Sequence, residues 1–504
     1  MKTLFKCFWS LRSPHTLLHQ AKRHLISPIA SHYEVINRGE KEVPKYFNFA
    51  SDVLDRWTQV EKDGKRPPNG AFWWVSDQRE EVKWTFEELG VLSRKAANVL
   101  LDPCSLQRGN RILVVLPKIP EWWLLNVACM RTAPDSHYCV KTTSEEPMVI
   151  YFTSGSTGPP KMVEHSQCSY GIGFTSSGRH WMDLTPSDVF WNTSDTGWVK
   201  SGWSSVFAPW IHGSCIFVHH LPQFEPAVIL NTLARYPVTT FCTAPTAYRM
   251  LVQHDVTSCK FMSLKHCVTG GEPLNPEVME RWKAQTGLDI YEGYGQTETV
   301  VICSNVKGMK IKPGSLGKAS PPYDVQTVDD EGNIQPPGEE GYIAIRIKPK
   351  RPFCIFSQYL DNPEKTAASE RGDFYVTGDR AIKDEEGYFW FVGRSDDLIN
   401  SAGYRIGPFE VESALIKHPA VIESAVVSSP DPVRGEVVKA FVVLSPAYLS
   451  HDPETLIKEL QDHVKKATAP YKYPRKVEFV QELPKTVAGK IQRNVLRKRE
   501  WGSV

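Results

Sequence analysis

The sequence predicts an α/β protein in two parts. These are a large N-terminal domain of α/β sheets plus an antiparallel subdomain, and a small α+β C-terminal domain joined to it by a hinge. Three observations lead to this prediction. Strand-like and helix-like segments alternate through the first half, short strands separated by turns begin near Gly314, and a polar segment at residues 393–397 precedes a compact last unit. A chain of 504 residues is also long enough for more than one domain.

The first half supplies the α/β pattern. Residues 86–101 have helical spacing, and residues 111–116 form a short apolar run ended by Pro117, which is typical of a buried strand. Residues 120–130 predict a helix with proline in its first turn. This alternation places ligands at the carboxyl ends of parallel strands. Further strands are predicted at residues 148–152, 238–243, 266–269 and 288–291.

The second half changes character. Strands predicted at residues 325–328 and 342–347 are separated by Asp-Asp-Glu-Gly and Pro-Pro-Gly turns, which indicates an antiparallel subdomain. We expect the large domain to span residues 34–394 and the small, mobile domain residues 395–504. The small domain is predicted to contain a helix at 409–417, strands at 422–428 and 437–444, and a helix at 455–466 with Leu456, Leu460 and Val464 on one face.

Composition narrows the class of protein. Hydrophobic content of 41% and charged content of 23% are ordinary for a soluble globular protein. The formal charge of +2 argues against a nucleic-acid binder with a basic surface, and no apolar run is long enough for a membrane span. The 11 scattered cysteines include no C-x-x-C pair, so we expect reduced thiols in an intracellular compartment.

The first 33 residues differ from the rest. Residues 1–33 contain several lysines and arginines and no Asp or Glu, and Lys6 and Arg12 interrupt any apolar stretch of the secretory type. This composition predicts a mitochondrial transit peptide and a location in the mitochondrial matrix. The alternative interpretation is a disordered basic tail.

The loop at residues 150–161 is the strongest local signal. A strand ends there in hydroxyls, glycines and one lysine, which together offer backbone N–H groups, hydroxyl donors and a cation to a polyphosphate. A Walker A loop is excluded, because Pro160 stands where its second glycine belongs and Met162 follows the lysine. A solvated turn is the alternative for such a loop alone. The candidate nucleotide-binding residues are Thr153, Ser154, Gly155, Ser156, Thr157, Gly158, Pro159, Pro160 and Lys161.

Other motifs follow this loop in the chain. Residues 291–298 combine aromatics, glycines and the acid Glu298. Asp379 ends a predicted strand and is suited to accept two hydrogen bonds from a ribose diol. Arg394 stands at the expected domain boundary, and Lys490 lies on a glycine-bearing loop near the C-terminus.

In this order, the motifs resemble the adenylate-forming superfamily, which includes acyl-CoA synthetases, luciferases and the adenylation domains of peptide synthetases. The chain is more closely similar to the mitochondrial medium-chain acyl-CoA synthetases. The similarity covers nearly the whole chain after the leader. The motifs that carry it lie at residues 194–200, 269–273, 402–407, 430–436 and 469–475.

The resemblance implies a ligase that joins a carboxylic acid to CoA in two half-reactions, with ATP, Mg²⁺ and CoA. In the first, Lys490, Thr297 and Lys161 would be catalytic and Glu298 would bind Mg²⁺. Asp379 would bind the ribose, Arg394 the ribose or a phosphate, and Thr297 would sit at the α-phosphate or the carboxylate. The residues that would line the rest of the ATP site are Gly271, Glu272, Pro273, Glu292, Gly293, Tyr294, Gly295 and Gln296.

The second half-reaction would transfer the acyl group to the CoA thiol. The resemblance implies that the small domain rotates about Asp396 and withdraws Lys490. It places Trp198, Thr297 and Arg405 at the substrate, and it implies a monomer without nucleic-acid partners. Ala402 departs from the subfamily, which usually has serine there. The positions matching CoA contacts are Ala402, Gly403, Tyr404, Arg434, Lys465, Tyr473, Pro474 and Arg475.

One departure concerns residues 133–147. Family members have several dozen more residues here, and a parallel crossover needs about a dozen or more. We therefore expect the large domain to be internally shortened near residues 133–147, with unpaired strand edges and an uncovered apolar face. Three functions remain open: an active medium-chain acyl-CoA ligase, an impaired isoform that at most binds nucleotide, and another adenylate-forming enzyme.

Overall fold

The computed structural model describes residues 27–131, 139–153, 160–486 and 490–502. The leader up to residue 26 and the loop residues 154–159 lie outside the described residues. Residues 132–138, which include the first part of the expected junction at 133–147, also lie outside them. Within the described part, no helix combines the length and the apolar character that a membrane crossing needs.

The α-helices lie mainly between consecutive strands. In chain order they are α1 Pro28–Asn37, α2 Asp55–Lys62, α3 Phe86–Leu101, α4 Pro120–Arg131, α5 Gln167–Gly171, α6 Phe174–Ser176, α7 Val199–Gly202, α8 Ala208–Ile211, α9 Pro226–Arg235, α10 Pro245–Leu251, α11 Pro276–Thr286, α12 Pro363–Ala368, α13 Pro408–Ile416, α14 Pro453–Ala467 and α15 Arg493–Trp501. Short π-helical turns occupy Ala50–Leu54, Ser177–Trp181 and Trp203–Phe207, and 3₁₀ turns occupy Pro446–Tyr448 and Pro470–Lys472.

The strands form four sheets. In chain order they are β1 Phe72–Val75, β2 Glu81–Trp84, β3 Pro147–Phe152, β4 Met162–Ser166, β5 Val189–Asn192, β6 Cys215–His219, β7 Thr240–Thr243, β8 His266–Gly270, β9 Ile290–Gln296, β10 Val300–Ser304, β11 Lys318–Ala319, β12 Val325–Val328, β13 Glu340–Arg346, β14 Gln358–Tyr359, β15 Glu370–Arg371, β16 Phe374–Lys383, β17 Phe389–Arg394, β18 Ile399–Ser401, β19 Tyr404–Ile406, β20 Val421–Asp431, β21 Gly435–Leu444 and β22 Lys476–Phe479.

The largest sheet has the order β11-β10-β9-β8-β7-β5-β6-β1-β2. Its central strands β1, β6, β5, β7, β8 and β9 are parallel, and antiparallel strands close both edges. Alternate side chains of one strand enter different cores: Phe190 of β5 packs in one, and Val189 and Trp191 pack in the other. The apolar strands are therefore covered on both faces, as a parallel sheet requires.

The antiparallel subdomain is a sheet in the order β12-β13-β16-β15, with β17 paired to β16. The last sheet, β19-β18-β21-β20 with β22 beside β21, contains only strands after residue 398. Leu456, Leu460 and Val464 of α14 are buried in the core of this last unit, as predicted from their spacing. The fold class predicted from the sequence is confirmed.

One local prediction was wrong, and a second strand is shifted along the chain. Residues 111–116 belong to no strand. Val114 and Leu116 pack on the core while Leu113 and Val115 are 79% and 78% exposed, because no described strand lies beside them. The strand predicted at residues 148–152 is confirmed as β3, which pairs antiparallel with β4 in a small sheet separate from the parallel one. The segment predicted as a strand at 288–291 begins at Ile290 and runs through the motif to Gln296, because β9 pairs with both neighbours there.

Candidate active site

A cavity of about 1000 Å³ lies where the carboxyl ends of β8 and β9 face the antiparallel subdomain and the small domain. A carboxyl edge of this kind is where open α/β sheets bind ligands. The cavity brings together predicted site residues that are far apart in the sequence. They are Thr153, Pro160, Lys161, Glu292, Gly293, Tyr294, Gly295, Gln296, Thr297, Glu298, Asp379, Arg394, Asp396 and Lys490.

Asp379 lies within β16 rather than at its end, directly opposite Arg394 of β17. Its Oδ2 accepts hydrogen bonds from the Tyr294 hydroxyl at 2.6 Å and from Gln296 Nε2 at 2.8 Å. Its Oδ1 has no hydrogen-bond partner in the described structure, and Arg394 Nε lies 3.9 Å away. Burial raises the pKa of Asp379, and the charge of Arg394 opposes this. One oriented acceptor oxygen therefore remains available to a ligand.

Lys161 and Glu298 form a second group. The Tyr359 hydroxyl donates to Glu298 Oε1 at 2.6 Å, and Lys161 Nζ lies 3.9 Å from the same oxygen. The ammonium also lies 4.8 Å from the centre of the Tyr359 ring. Burial lowers the pKa of Lys161, while the charge of Glu298 raises it. This pair places a cation beside an acceptor, next to the hairpin that strands β3 and β4 form.

Thr297 is held through its main chain. His165 Nε2 donates to the Thr297 carbonyl at 2.7 Å, so this nitrogen carries a proton. Burial lowers the pKa of His165 to about 4, and the imidazole is therefore neutral near pH 7. A neutral ring fixes the peptide at Thr297 without adding charge to the cavity.

The segment after β8 carries a half-buried ion pair. Arg249 Nη2 lies 2.5 Å from Glu272 Oε1, which also accepts a hydrogen bond from Thr246 Oγ1 at 2.7 Å. Burial would raise the pKa of Glu272, but Arg249 and Thr246 outweigh it and the pKa is lowered. Glu272 therefore stays ionised near neutral pH.

Glu292 behaves in the opposite way. The side chain is buried, its Oε1 accepts the Leu274 N–H at 3.3 Å, and its Oε2 has no partner in the described structure. Burial raises the pKa of Glu292 to about 8. A neutral carboxylic acid at this position can offer an O–H donor to a ligand.

Lys490 reaches the cavity from the small domain. A Cβ on Gly271 would lie 3.9 Å from Lys490 Cε, which places the lysine against the segment that carries Glu272. The Lys490 backbone is paired with Thr486, and Arg493 nearby is held by Glu412 at 2.6 Å. Burial lowers the pKa of Lys490, and Glu272 counteracts this.

The positions that match CoA contacts do not line this cavity. Ala402, Gly403 and Tyr404 are exposed, and Arg434 lies beside them because its carbonyl accepts the Ala402 N–H. Lys465 and Arg475 both approach the ring of Tyr473. Pro474, which lies between Tyr473 and Arg475 in the sequence, is buried. The candidate CoA residues thus form two groups on the small domain, outside the cavity.

The proposed substrate residues are divided. Trp198 is half-buried directly before α7 and does not line the cavity, and Arg405 is exposed on β19. The sequence motifs gave no sign of Arg249 or Tyr359 as site residues, and Lys200, the last residue of the motif at 194–200, was assigned no role. The contacts of Arg249 and Tyr359 join residues far apart in the chain, and no local pattern marks them.

The site can therefore hold an anionic nucleotide. One end of the cavity offers Lys161 and Glu298, the middle offers Asp379 and Arg394, and Lys490 enters from the small domain. Separate cations around one cavity are what a reaction between negatively charged reactants needs.

Comparison with known proteins agrees with this geometry. Residues 132–360 match the AMP-binding enzyme family, and residues 410–490 match the AMP-binding enzyme C-terminal domain. The chain belongs to the AMP-binding enzyme family. Human acyl-coenzyme A synthetase ACSM5, mitochondrial, is 59% identical, with 94% of each chain covered. The mouse acyl-coenzyme A synthetase ACSM3, mitochondrial, is 56% identical, with 98% of each covered.

Solved structures agree on the fold of this family member. The anthranilate CoA ligase AuaEII in complex with anthranoyl-AMP is 28% identical with a TM-score of 0.80, covering 91% of this chain and 98% of that one. A Brucella canis acyl-CoA synthetase is 31% identical with a TM-score of 0.67, covering 93% and 97%. The alignment with human ACSM5 spans 545 positions, more than the 504 residues present here. Some residues of that relative therefore have no counterpart in this chain.

Proposed function

We propose that this protein is an ATP-dependent, AMP-forming acyl-CoA synthetase that acts on medium-chain carboxylic acids. The observation that carries the proposal is the meeting of Lys490 with Asp379, Arg394, Lys161 and Glu298 around one cavity. These groups come from both expected domains, and each matches a role in acyl-adenylate chemistry.

In the first half-reaction, a carboxylate oxygen of the acid would attack the α-phosphorus of ATP and pyrophosphate would leave. The nucleophile is already an anion at neutral pH, so no general base is needed. The free Oδ1 of Asp379 would accept from a ribose hydroxyl. Lys490 would bridge the carboxylate and the α-phosphate, and Lys161 would meet the outer phosphates with the residues of the 154–159 loop.

Glu298 is the residue we propose to hold Mg²⁺. Among the described residues, no group of three or more His, Cys, Asp or Glu side chains could hold a metal ion alone. A single carboxylate fits Mg²⁺, which in nucleotide sites takes one or two carboxylates plus phosphate oxygens and water. Bound there, the ion would neutralise charge on the phosphates.

In the second half-reaction, the CoA thiol would attack the acyl-adenylate carbonyl, with AMP as the leaving group. We propose that the small domain turns about Asp396 for this step. The support is that Lys490 occupies the cavity while Tyr404, Arg434 and Arg475 stay outside it. A rotation would exchange these two sets of residues.

The remaining assignments are also proposals. We propose a domain division after residue 394, a monomer, and a location in the mitochondrial matrix. We place the end of the leader before helix α1, because Ile29 and Tyr33 of that helix are buried in the main core. A removed leader that extended to residue 33 would take part of this core with it.

A second candidate is an impaired isoform that at most binds nucleotide. Two observations favour it: Leu113 and Val115 are exposed, and the alignment with a close relative is longer than this chain. We propose that the residues without counterparts are missing near residues 133–147, beside helix α4.

The test is pyrophosphate exchange into ATP with octanoate or butyrate, followed by thioester formation with CoA. We expect exchange that requires Mg²⁺ and stops on chelation. Lys490→Ala should reduce exchange strongly while sparing thioester formation from supplied octanoyl-adenylate. A rise in the Tm of the wild type with ligand, without any exchange, would indicate the impaired isoform. Equal loss of both half-reactions in Lys490→Ala would refute the role of Lys490.

A further inference from the structure

Lys200 is a buried cation without a carboxylate partner. It lies in α7, its side chain is only 7% exposed, and its ammonium crosses to the carboxyl ends of two strands of the parallel sheet. There it donates to the carbonyls of Thr243 at 3.2 Å and Gly270 at 3.0 Å. Both of these acceptors are main-chain carbonyls, and no ion pair between Lys200 and an Asp or Glu is found among the described residues.

A buried charge of this kind is costly unless something neutralises it. Two carbonyl dipoles satisfy two of the three N–H donors of an ammonium group, and the Cys242 thiol also accepts a hydrogen bond from Lys200. The neighbouring side chain is the Cys242 thiol, and burial raises the pKa of that thiol despite the charge of Lys200. The cation is therefore kept in place without a resident anion.

The position of Lys200 connects it to Lys490. Gly270 accepts from Lys200, and the next residue, Gly271, lies against Lys490. The charge of Lys200 lowers the pKa of Lys490. Two lysines from different domains thus approach the same edge of the sheet.

We propose that Lys200 is a binding residue for the carboxylate of the acid substrate and for the acyl carbonyl that it becomes. This inference rests on the acyl-CoA synthetase function proposed above and adds the residue that holds the reacting group. Lys490 belongs to the domain that rotates, whereas Lys200 is fixed to the parallel sheet. Lys200 therefore keeps a positive charge beside the acyl carbonyl in both half-reactions, including thiol attack, when an oxyanion develops.

The competing role is structural, in which the ammonium serves only to link β7 and β8. Lys200→Gln separates the two roles, because an amide keeps N–H donors for both carbonyls but carries no charge. Lys200→Arg keeps the charge in a different shape. Lys283→Gln is the matched control, because Lys283 is 60% exposed in its side chain and pairs with Asp289 on the surface of the same domain.

Steady-state pyrophosphate exchange gives the first readout. In Lys200→Gln we expect the KM for octanoate to rise about tenfold or more, the effect of losing one charge-assisted hydrogen bond, with the KM for ATP nearly unchanged. Lys200→Arg should recover part of the loss, and Lys283→Gln should match the wild type. An unchanged octanoate KM, or a rise in the ATP KM instead, would overturn the inference.

The pH profile gives the second readout. The charged groups around Lys490 are Glu272 and Asp379, which raise its pKa, and Lys200 and Arg394, which lower it along with burial. Lys490 is expected to act as a cation, so exchange should fall as pH rises through its pKa. Without the charge of Lys200 that pKa rises, so the alkaline limb of Lys200→Gln should move to higher pH. A limb that stays in place would mean that Lys200 places no charge beside Lys490, which the proposed contact with the same carboxylate requires, and would overturn the inference.

Failure of the inference can be distinguished from failure of the proposed function. Wild-type protein without exchange and without stabilisation by octanoate in the presence of ATP would reject the function. If octanoate raises the Tm of ATP-bound wild type but exchange is absent, loss of that rise in Lys200→Gln supports the inference for an impaired isoform. Retention of the rise overturns it.

Discussion

Glu292 shows how a single buried group changes the chemistry of the cavity. Its raised pKa, about 8, means that the folded protein holds a proton which the unfolded chain releases near the ordinary value of 4.5. Between these two values the folded state binds more protons than the unfolded state. Its contribution to stability therefore falls as pH rises from about 4.5 to about 8, and is constant above.

Glu292→Gln should remove this dependence, because the amide keeps an acceptor for the Leu274 N–H but does not ionise. We expect the variant to gain stability over the wild type as pH rises from 5 to 8, at most about 1.4 kcal/mol per pH unit. Denaturant unfolding of both proteins at several pH values measures the difference. A difference independent of pH would show that Glu292 ionises in the folded protein as it does in water.

Prediction from sequence succeeded for residues in motifs that follow the order of a known family along the chain. Lys161, Glu298, Asp379, Arg394 and Lys490 were all named from the sequence, and all line one cavity. Their roles stay predictions.

Prediction from sequence failed for site residues whose role depends on a contact with a residue far away in the chain. Tyr359 is 61 positions from Glu298, and Arg249 is 23 positions from Glu272. A tyrosine or an arginine at such a distance carries no local pattern, so only the folded chain reveals the contact.

At the scale of elements, residues 111–116 show where sequence patterns stop being sufficient. An apolar run indicates a strand only if another strand is present to pair with it. None of these residues donates a backbone hydrogen bond to another described residue, and they alternate between core-facing and exposed side chains. An unpaired apolar segment of this kind is a site for aggregation.

We expect the double substitution Leu113→Lys and Val115→Thr to lower aggregation without lowering stability, because both side chains are exposed. Static light scattering during heating measures aggregation, and the Tm measures stability. The control is Val114→Lys, which should lower the Tm because Val114 packs on the main core. A fall in Tm for the double variant as large as that of the control would mean that the exposed face is covered in solution.

At the scale of the whole molecule, the position of Lys490 depends on how the two expected domains meet. Helix α13 of the small domain contacts the start of α11 in the large domain. Asn275 Nδ2 donates to Ser413 Oγ at 3.1 Å, and Lys417 Nζ lies 2.9 Å from Glu277 Oε1. Asn275 also accepts from Arg249, which pairs with Glu272 in the cavity. These contacts favour the orientation in which Lys490 is inside.

The ion pair of Lys417 and Glu277 can be used to shift this orientation. The pair is partly exposed, so it is worth only about 0.2–1 kcal/mol, but charge reversal in Lys417→Glu replaces attraction with repulsion. We expect the adenylate-forming half-reaction to slow roughly two- to tenfold, and thioester formation from supplied octanoyl-adenylate to be spared. High salt should reduce the effect, since salt screens exposed charges.

The double variant Glu277→Lys with Lys417→Glu restores opposite charges and should recover adenylate formation. Asp396→Pro should have the reverse effect, with adenylate formation retained and thioester formation lost, because it restricts the proposed hinge. Rapid-quench measurement of each half-reaction, with the Tm of every variant, separates a shift of domain orientation from loss of folding. If Lys417→Glu slows both half-reactions equally and the double variant does not recover, the contact between α11 and α13 does not control the orientation. If thioester formation survives in Asp396→Pro, the hinge lies elsewhere in the chain.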